Sequence, residues 1–92
     1  MSRYERIVTI LTKELSPDYL ELQDQSHLHA GHAGARPGGE THYALVIEAK
    51  AFAGLSRVQR HQLVYRTLAR EFSSGLHALS IQAYAAGERP SA

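Results

Sequence analysis

The run Thr41 to Ala49, THYALVIEA, limits the possible folds more than any other stretch of the chain. Its apolar residues occupy both faces of an extended strand, a pattern that belongs in the middle of a sheet rather than at its rim. Ala51-Phe52-Ala53-Gly54-Leu55 follows as a connector, and Ser56 is a good N-cap for a helix over about Arg57 to Phe72. Ser73-Ser74-Gly75 ends that helix. Leu76 to Tyr84 then reads as a strand, with Leu79, Ile81 and Ala83 on one face and Ser80, Gln82 and Tyr84 on the other. A strand–helix–strand unit makes its strands parallel through a right-handed crossover.

Upstream, Ser2 and Glu5 have the spacing of a capping box, and Tyr4, Ile7, Val8, Leu11 and Leu15 recur at helical intervals, so a helix is predicted from about Arg3 to Leu15. Ser16-Pro17 stops it. Tyr19 to Gln23 alternates polar and apolar as a half-buried strand does. Asp24 to Glu40 is rich in glycine and holds Pro37, which favours loop. Loops beyond about 12–15 residues are usually functional or disordered. The expected fold is therefore α+β in the order αββαβ, a three-stranded mixed sheet with the second strand in the middle and the helices on one face. Residues 1–86 are expected to form one domain, with a flexible tail over 87–92.

The chain holds no cysteine. Disulfides, thiol catalysis, thiolate zinc sites and a self-contained all-cysteine cluster are excluded. Any metal must be met by nitrogen or oxygen, or by sulfur lent from another molecule. Ten basic and nine acidic residues give a formal net charge of +1, without the broad positive field of a dedicated nucleic-acid binder. No apolar run is long enough to span a bilayer and the start does not read as a signal peptide, so a cytoplasmic protein with no membrane partner is expected. No G-x-x-x-x-G-K-[ST] or H-E-x-x-H is present, and no nucleophilic triad or paired carboxylate stands out. Catalysis has little to stand on.

Six histidines need an explanation. His61 shares a helical stripe with Val58, Tyr65, Leu68 and Phe72, which predicts a core imidazole satisfied inside the fold. His42 opens the central strand, where either a packing role or a rim contact fits. His77 lies between a helix-ending glycine and the last strand, at an end of the sheet. Capping or packing explains it, and so does an outward-reaching ligand. His27, His29 and His32 are clustered in the glycine-rich segment. Imidazole is the commonest metal ligand, yet a structural zinc site takes four organised ligands, so a solvated loop explains them as well as a metal site does.

Several segments taken together resemble the BolA family. They are Leu20 to Ser26 (LELQDQS), Gly39 to Tyr43 (GETHY), Phe52 to Ser56 (FAGLS), Arg60 to Tyr65 (RHQLVY) and His77 to Ile81 (HALSI). The match is collinear over about residues 4 to 85. The resemblance implies a KH-like fold of class II with a short extra helical turn before the last strand. It also implies a partner, a monothiol glutaredoxin of the CGFS type, and a [2Fe–2S] cluster held between the two proteins. In the family one ligand is the histidine of the H-A-L-S motif, here His77. The second comes from the loop between the first two strands, as histidine or cysteine, which here is His29, with His27 or His32 as alternatives. Gln25 stands where the family often has an acidic residue, and the loop is longer than in short-loop members.

Under this resemblance two imidazoles come from the chain, while the partner's cysteine and a bound glutathione bring the sulfurs. No cofactor is expected in the isolated chain, and the free chain is expected to be a monomer or weak homodimer. The roles implied are adaptor in cluster trafficking, assembly or iron sensing, and not an enzyme. The alternative is a DNA-binding transcriptional regulator using the KH-like fold. Arg57 and Arg60, however, point about 130° away from Arg66 and Arg70 on the helix, and Ala53-Gly54-Leu55-Ser56 lacks the G-x-x-G clamp of a KH ligand site. A histidine loop chelating metal by itself is a third reading.

Overall fold

Ser2 starts the first helix, α1 (Arg3–Leu15), by accepting the Glu5 N–H at 3.1 Å while the Glu5 carboxylate accepts the Ser2 N–H at 3.3 Å. This is the capping box read from the sequence. In the computed structural model, which describes residues 1–26 and 41–90, Ile7, Leu11 and Leu15 form the buried face of α1. Tyr4, expected on that face, stands in solvent, and Val8 is half-buried. Ser16 closes the helix in the left-handed region (φ 44°), its N–H reaching Thr12 O.

Three strands follow: β1 (Tyr19–Asp24), β2 (His42–Glu48) and β3 (Ala78–Tyr84), in the order β1-β2-β3. β1 runs antiparallel to β2, with Leu22 opposite Leu45. β3 runs parallel to β2, with Leu45 opposite Ile81. The doubly apolar strand is thus the central one. Tyr43, Leu45, Ile47, Leu79 and Ile81 share one sheet face with Leu22, and Ile7 and Leu11 of α1 join them in one core. Full burial of an aliphatic side chain of this size is worth about 1.5–3 kcal/mol, so this cluster is the main source of cohesion.

A 3-10 turn (Lys50–Phe52) drops Phe52 into that core. Ser56 caps α2 (Arg57–Thr67) in a second capping box, with Gln59 as its partner. The single helix expected from Arg57 to Phe72 is in fact two, α2 and α3 (Ala69–Ser73), separated at Leu68. The Thr67 hydroxyl bonds Leu63 O at 2.7 Å, a local competitor for backbone bonding that bends helices. The expected core stripe holds at Leu68, which is buried, and at Phe72, which packs against the core, but not at its other members. Val58 is 64% and Tyr65 43% exposed, and the buried positions are Val64, Leu68 and Glu71. The true inward face is centred about 60° round from His61, at about 100° per residue. His61 is half-buried on the wall of a cleft between α2 and β3, beside Leu55 and Ile81. It is not a core residue.

The first and last helices are joined through charge. Arg3 Nη1 lies 2.9 Å from Glu71 Oε1 and also donates to Glu71 O and Ser74 Oγ, while Arg6 Nε reaches Glu71 Oε2 at 3.0 Å. The segment from Gly87, expected to fray, holds contacts as far as Arg89. The Gly87 N–H donates to Glu48 at 2.7 Å, Glu88 pairs with Arg60, and Arg89 pairs with Glu48 while its guanidinium lies over the Tyr19 ring. Sequence offered no local partner from which to read these ties. No helix among the described residues is long and apolar enough to cross a membrane.

Candidate functional site

His77 stands one residue before β3, and three neighbours fix its backbone. Gly75 turns the chain with φ 132°, a conformation few residues other than glycine adopt. Leu76 is buried, and its N–H donates to Glu71 O at 2.9 Å, on the same residue that Arg3 and Arg6 grip. The His77 N–H donates to Thr41 O at 2.8 Å, and the next N–H, of Ala78, reaches the same carbonyl at 3.1 Å. The side chain of His77 is exposed. Its main chain is therefore rigidly tied while its imidazole meets solvent.

His42 lies beside it and is 7% exposed. The two rings are 5.2 Å apart between centroids and tilted by 50°. His42 Nδ1 lies 2.8 Å from the Thr41 hydroxyl. Packing accounts for His42, as one of the two sequence readings had it.

Ser26 completes the arrangement. Its buried hydroxyl accepts the N–H of Thr41 at 2.9 Å and of His42 at 3.1 Å, and the Gln25 N–H donates to His42 O. Ser26 and Thr41, the described residues that flank 27–40, thus touch one another next to His77. His27, His29 and His32 fall within that stretch, outside the described residues, as does most of the predicted loop 24–40. Among the described residues no three of His, Asp and Glu converge to hold a metal ion. Of the two imidazoles at this corner, that of His77 is exposed and that of His42 is buried.

The approach to this corner is shaped by β3, an edge strand. The Ala78 N–H and the Tyr84 C=O, which bond Thr41 and Ala49, face β2, so the backbone groups of Leu79, Ile81 and Ala83 turn to the open edge. Side chains of α2 cover part of it. The Tyr65 hydroxyl donates to Leu79 O at 3.3 Å and Arg60 Nη1 to Ala83 O at 3.0 Å. Arg60 also donates to Leu55 O and pairs with Glu88 at 2.7 Å. That carboxylate holds the guanidinium above its usual range, and Arg60, with the Ala85 N–H, holds the Glu88 carboxyl below its own. Of the four helix arginines weighed as a nucleic-acid surface, Arg60 is committed inside the fold.

Sequence reasoning missed Thr41, Ser26, Arg3 and Glu71 as the supports of this corner. A serine two residues past the first strand and a threonine just before the second were the only local hints of the first two, and the register of the sheet was needed to use them. The Arg3–Glu71 pair had no sequence signal at all.

Comparison with known proteins agrees with this architecture. The family model described as BolA-like protein matches residues 11–88. The Arabidopsis thaliana protein named BOLA1, chloroplastic, is 46% identical over 98% of this chain, and the chain covers 58% of it. The SufE-like protein 1, chloroplastic/mitochondrial, of Arabidopsis thaliana is 52% identical over 89% of this chain, which covers 23% of that longer protein. The solved structure of the BolA domain of SufE1 from Arabidopsis thaliana superposes with a TM-score of 0.85 at 50% identity, covering 94% of each chain.

Proposed function

The chain belongs to the BolA-like protein family, and from that premise we propose that it is a non-enzymatic adaptor that binds a monothiol glutaredoxin and shares a [2Fe–2S] cluster with it. The observation that carries the reading is the exposed imidazole of His77 on a backbone held by Thr41 and, through Leu76, by Glu71. His77 supplies one ligand. The stretch 27–40, anchored beside it at Ser26 and Thr41, supplies the second as His29, with His27 or His32 in its place as alternatives.

A [2Fe–2S] cluster takes four ligands, two to each iron. A chain without cysteine contributes no thiolate, so the thiolates belong to the glutaredoxin cysteine and a bound glutathione. Two imidazoles on one iron resemble the Rieske pattern, which raises the reduction potential. The exchange of two thiolates for imidazoles suits a cluster that is passed on or sensed, in trafficking, assembly or iron sensing, rather than stored.

The test is reconstitution with a monothiol glutaredoxin, glutathione, iron and sulfide. The expected result is a complex whose visible spectrum differs from that of the glutaredoxin cluster alone. An unchanged spectrum with no complex on size exclusion overturns the reading. A DNA-binding role draws less support, because Arg60 is occupied by Leu55 O, Ala83 O and Glu88. Phosphate-driven binding would show itself by weakening steeply with salt.

A further inference from the structure

His42 bears directly on the orientation of His77. An exposed side chain with no neighbour exchanges among its staggered rotamers in picoseconds to nanoseconds. The His77 ring has a neighbour: the His42 ring, 5.2 Å away and tilted by 50°, within the range at which planar rings attract one another. A wall of this kind is useful only if it does not move, and His42 is held at several points. Its Nδ1 meets the Thr41 hydroxyl at 2.8 Å, its N–H donates to Ser26 Oγ at 3.1 Å, and its carbonyl accepts the Gln25 N–H at 2.8 Å. Thr41 itself is 1% exposed. Its carbonyl takes the His77 and Ala78 N–H groups while its hydroxyl meets His42. One buried residue therefore fixes both the backbone of His77 and the ring against which the His77 side chain lies.

We propose that His42 is a positioning residue: its buried ring sets the His77 imidazole in one orientation before any metal arrives. The proposal rests on the reading of His77 as a ligand, to which it adds how that ligand is aimed. Without the wall the imidazole would divide its time among about three staggered wells. If one of them is competent, the apparent affinity for the shared iron falls about threefold.

Side-chain NMR of the free full-length chain tests this, reading the χ1 couplings and ring relaxation of His77 in the parent and in His42→Phe, His42→Asn and His42→Ala. Phenylalanine keeps a planar ring in place. Asparagine keeps a polar atom near the Thr41 hydroxyl but removes the ring. The expected result is one χ1 state for His77 in the parent and in His42→Phe, with averaged couplings in His42→Asn and His42→Ala. With glutaredoxin, iron, sulfide and glutathione, His42→Asn should share the cluster about threefold more weakly than His42→Phe. Native-like amide signals for β2 and β3 show that the fold is kept, and should the alanine variant not fold, the Phe–Asn comparison decides. Averaged couplings already in the parent, or identical couplings in parent and His42→Asn, overturn the proposal. Failure of the ligand reading looks different: His77→Ala would leave the cluster spectrum unchanged while the couplings in the free parent still report a single state.

Discussion

Arg3 of the first helix and Glu71 of the last meet at 2.9 Å, with less than a tenth of either side chain exposed. Removing one partner of a buried pair leaves an uncompensated charge and costs about 3–5 kcal/mol. Arg3→Ala should fall toward the lower end of that range, because Arg6 still faces Glu71. Arg6 is more exposed, and Arg6→Ala should cost no more than about 1 kcal/mol. Urea unfolding measures both. Equal losses for the two variants would contradict the burial argument.

Opposite behaviour is expected at two histidines. His77→Ala should abolish the altered cluster spectrum while changing stability by less than about 0.5 kcal/mol, as surface substitutions do. His61→Ala should leave the spectrum intact and cost less than about 1 kcal/mol, because His61 lies on an open cleft wall rather than in the core. Parallel reconstitution and denaturation of the two variants would show whether these roles are reversed.

The covered edge of β3 makes a prediction about self-association. Bare edge strands are templates for pairing with another chain, and Tyr65 and Arg60 occupy the outward carbonyls of Leu79 and Ala83. The double variant Tyr65→Phe, Arg60→Met uncovers both. Sedimentation should then detect dimers or larger species at concentrations where the parent sediments more slowly. Matching sedimentation profiles would mean the side-chain cover is dispensable.

Acid should loosen the C-terminal strap. Glu88 is held below its ordinary value of 4.5 by Arg60 and the Ala85 N–H, and Glu48 by the Gly87 N–H and then Arg89. A carboxyl whose folded value is depressed contributes stability above its unfolded value, and loses that contribution as pH falls through the folded one. The ties at Gly87 and Ala85 should therefore be complete at neutral pH and released only below about pH 4.5. Carbon-detected titration of the two carboxyls, followed alongside the Gly87 and Ala85 amide shifts, checks this. Midpoints above 4.5 would reverse the sign.

Much of the fold was legible because it is written locally. Ser2 with Glu5 is a capping box on the page and in space, Ser56 caps the second helix, and the two-faced apolarity of Thr41 to Ala49 marks a central strand. Phase was harder. A stripe through Val58, His61 and Tyr65 and one through Val64 and Leu68 differ by a fraction of a turn, and the bend at Leu68 shifts the register part-way along. The supports of the His77 corner were illegible for another reason. Thr41 and Ser26 act through strand register, and Glu71 through a residue near the other end of the chain, so no window of neighbouring residues contains the pattern.

The hydroxyl of Ser26 gathers the N–H groups of Thr41 and His42, and it pins together the two ends of whatever length of chain runs between them. Closing such a tether costs only about 0.6 kcal/mol more for each doubling of its length. The stretch between could be lengthened, shortened or refitted with different donor atoms while the sheet and its corner kept their geometry. Grafting a foreign segment between these two anchor points should therefore retune what the corner grasps without rebuilding the scaffold beneath it.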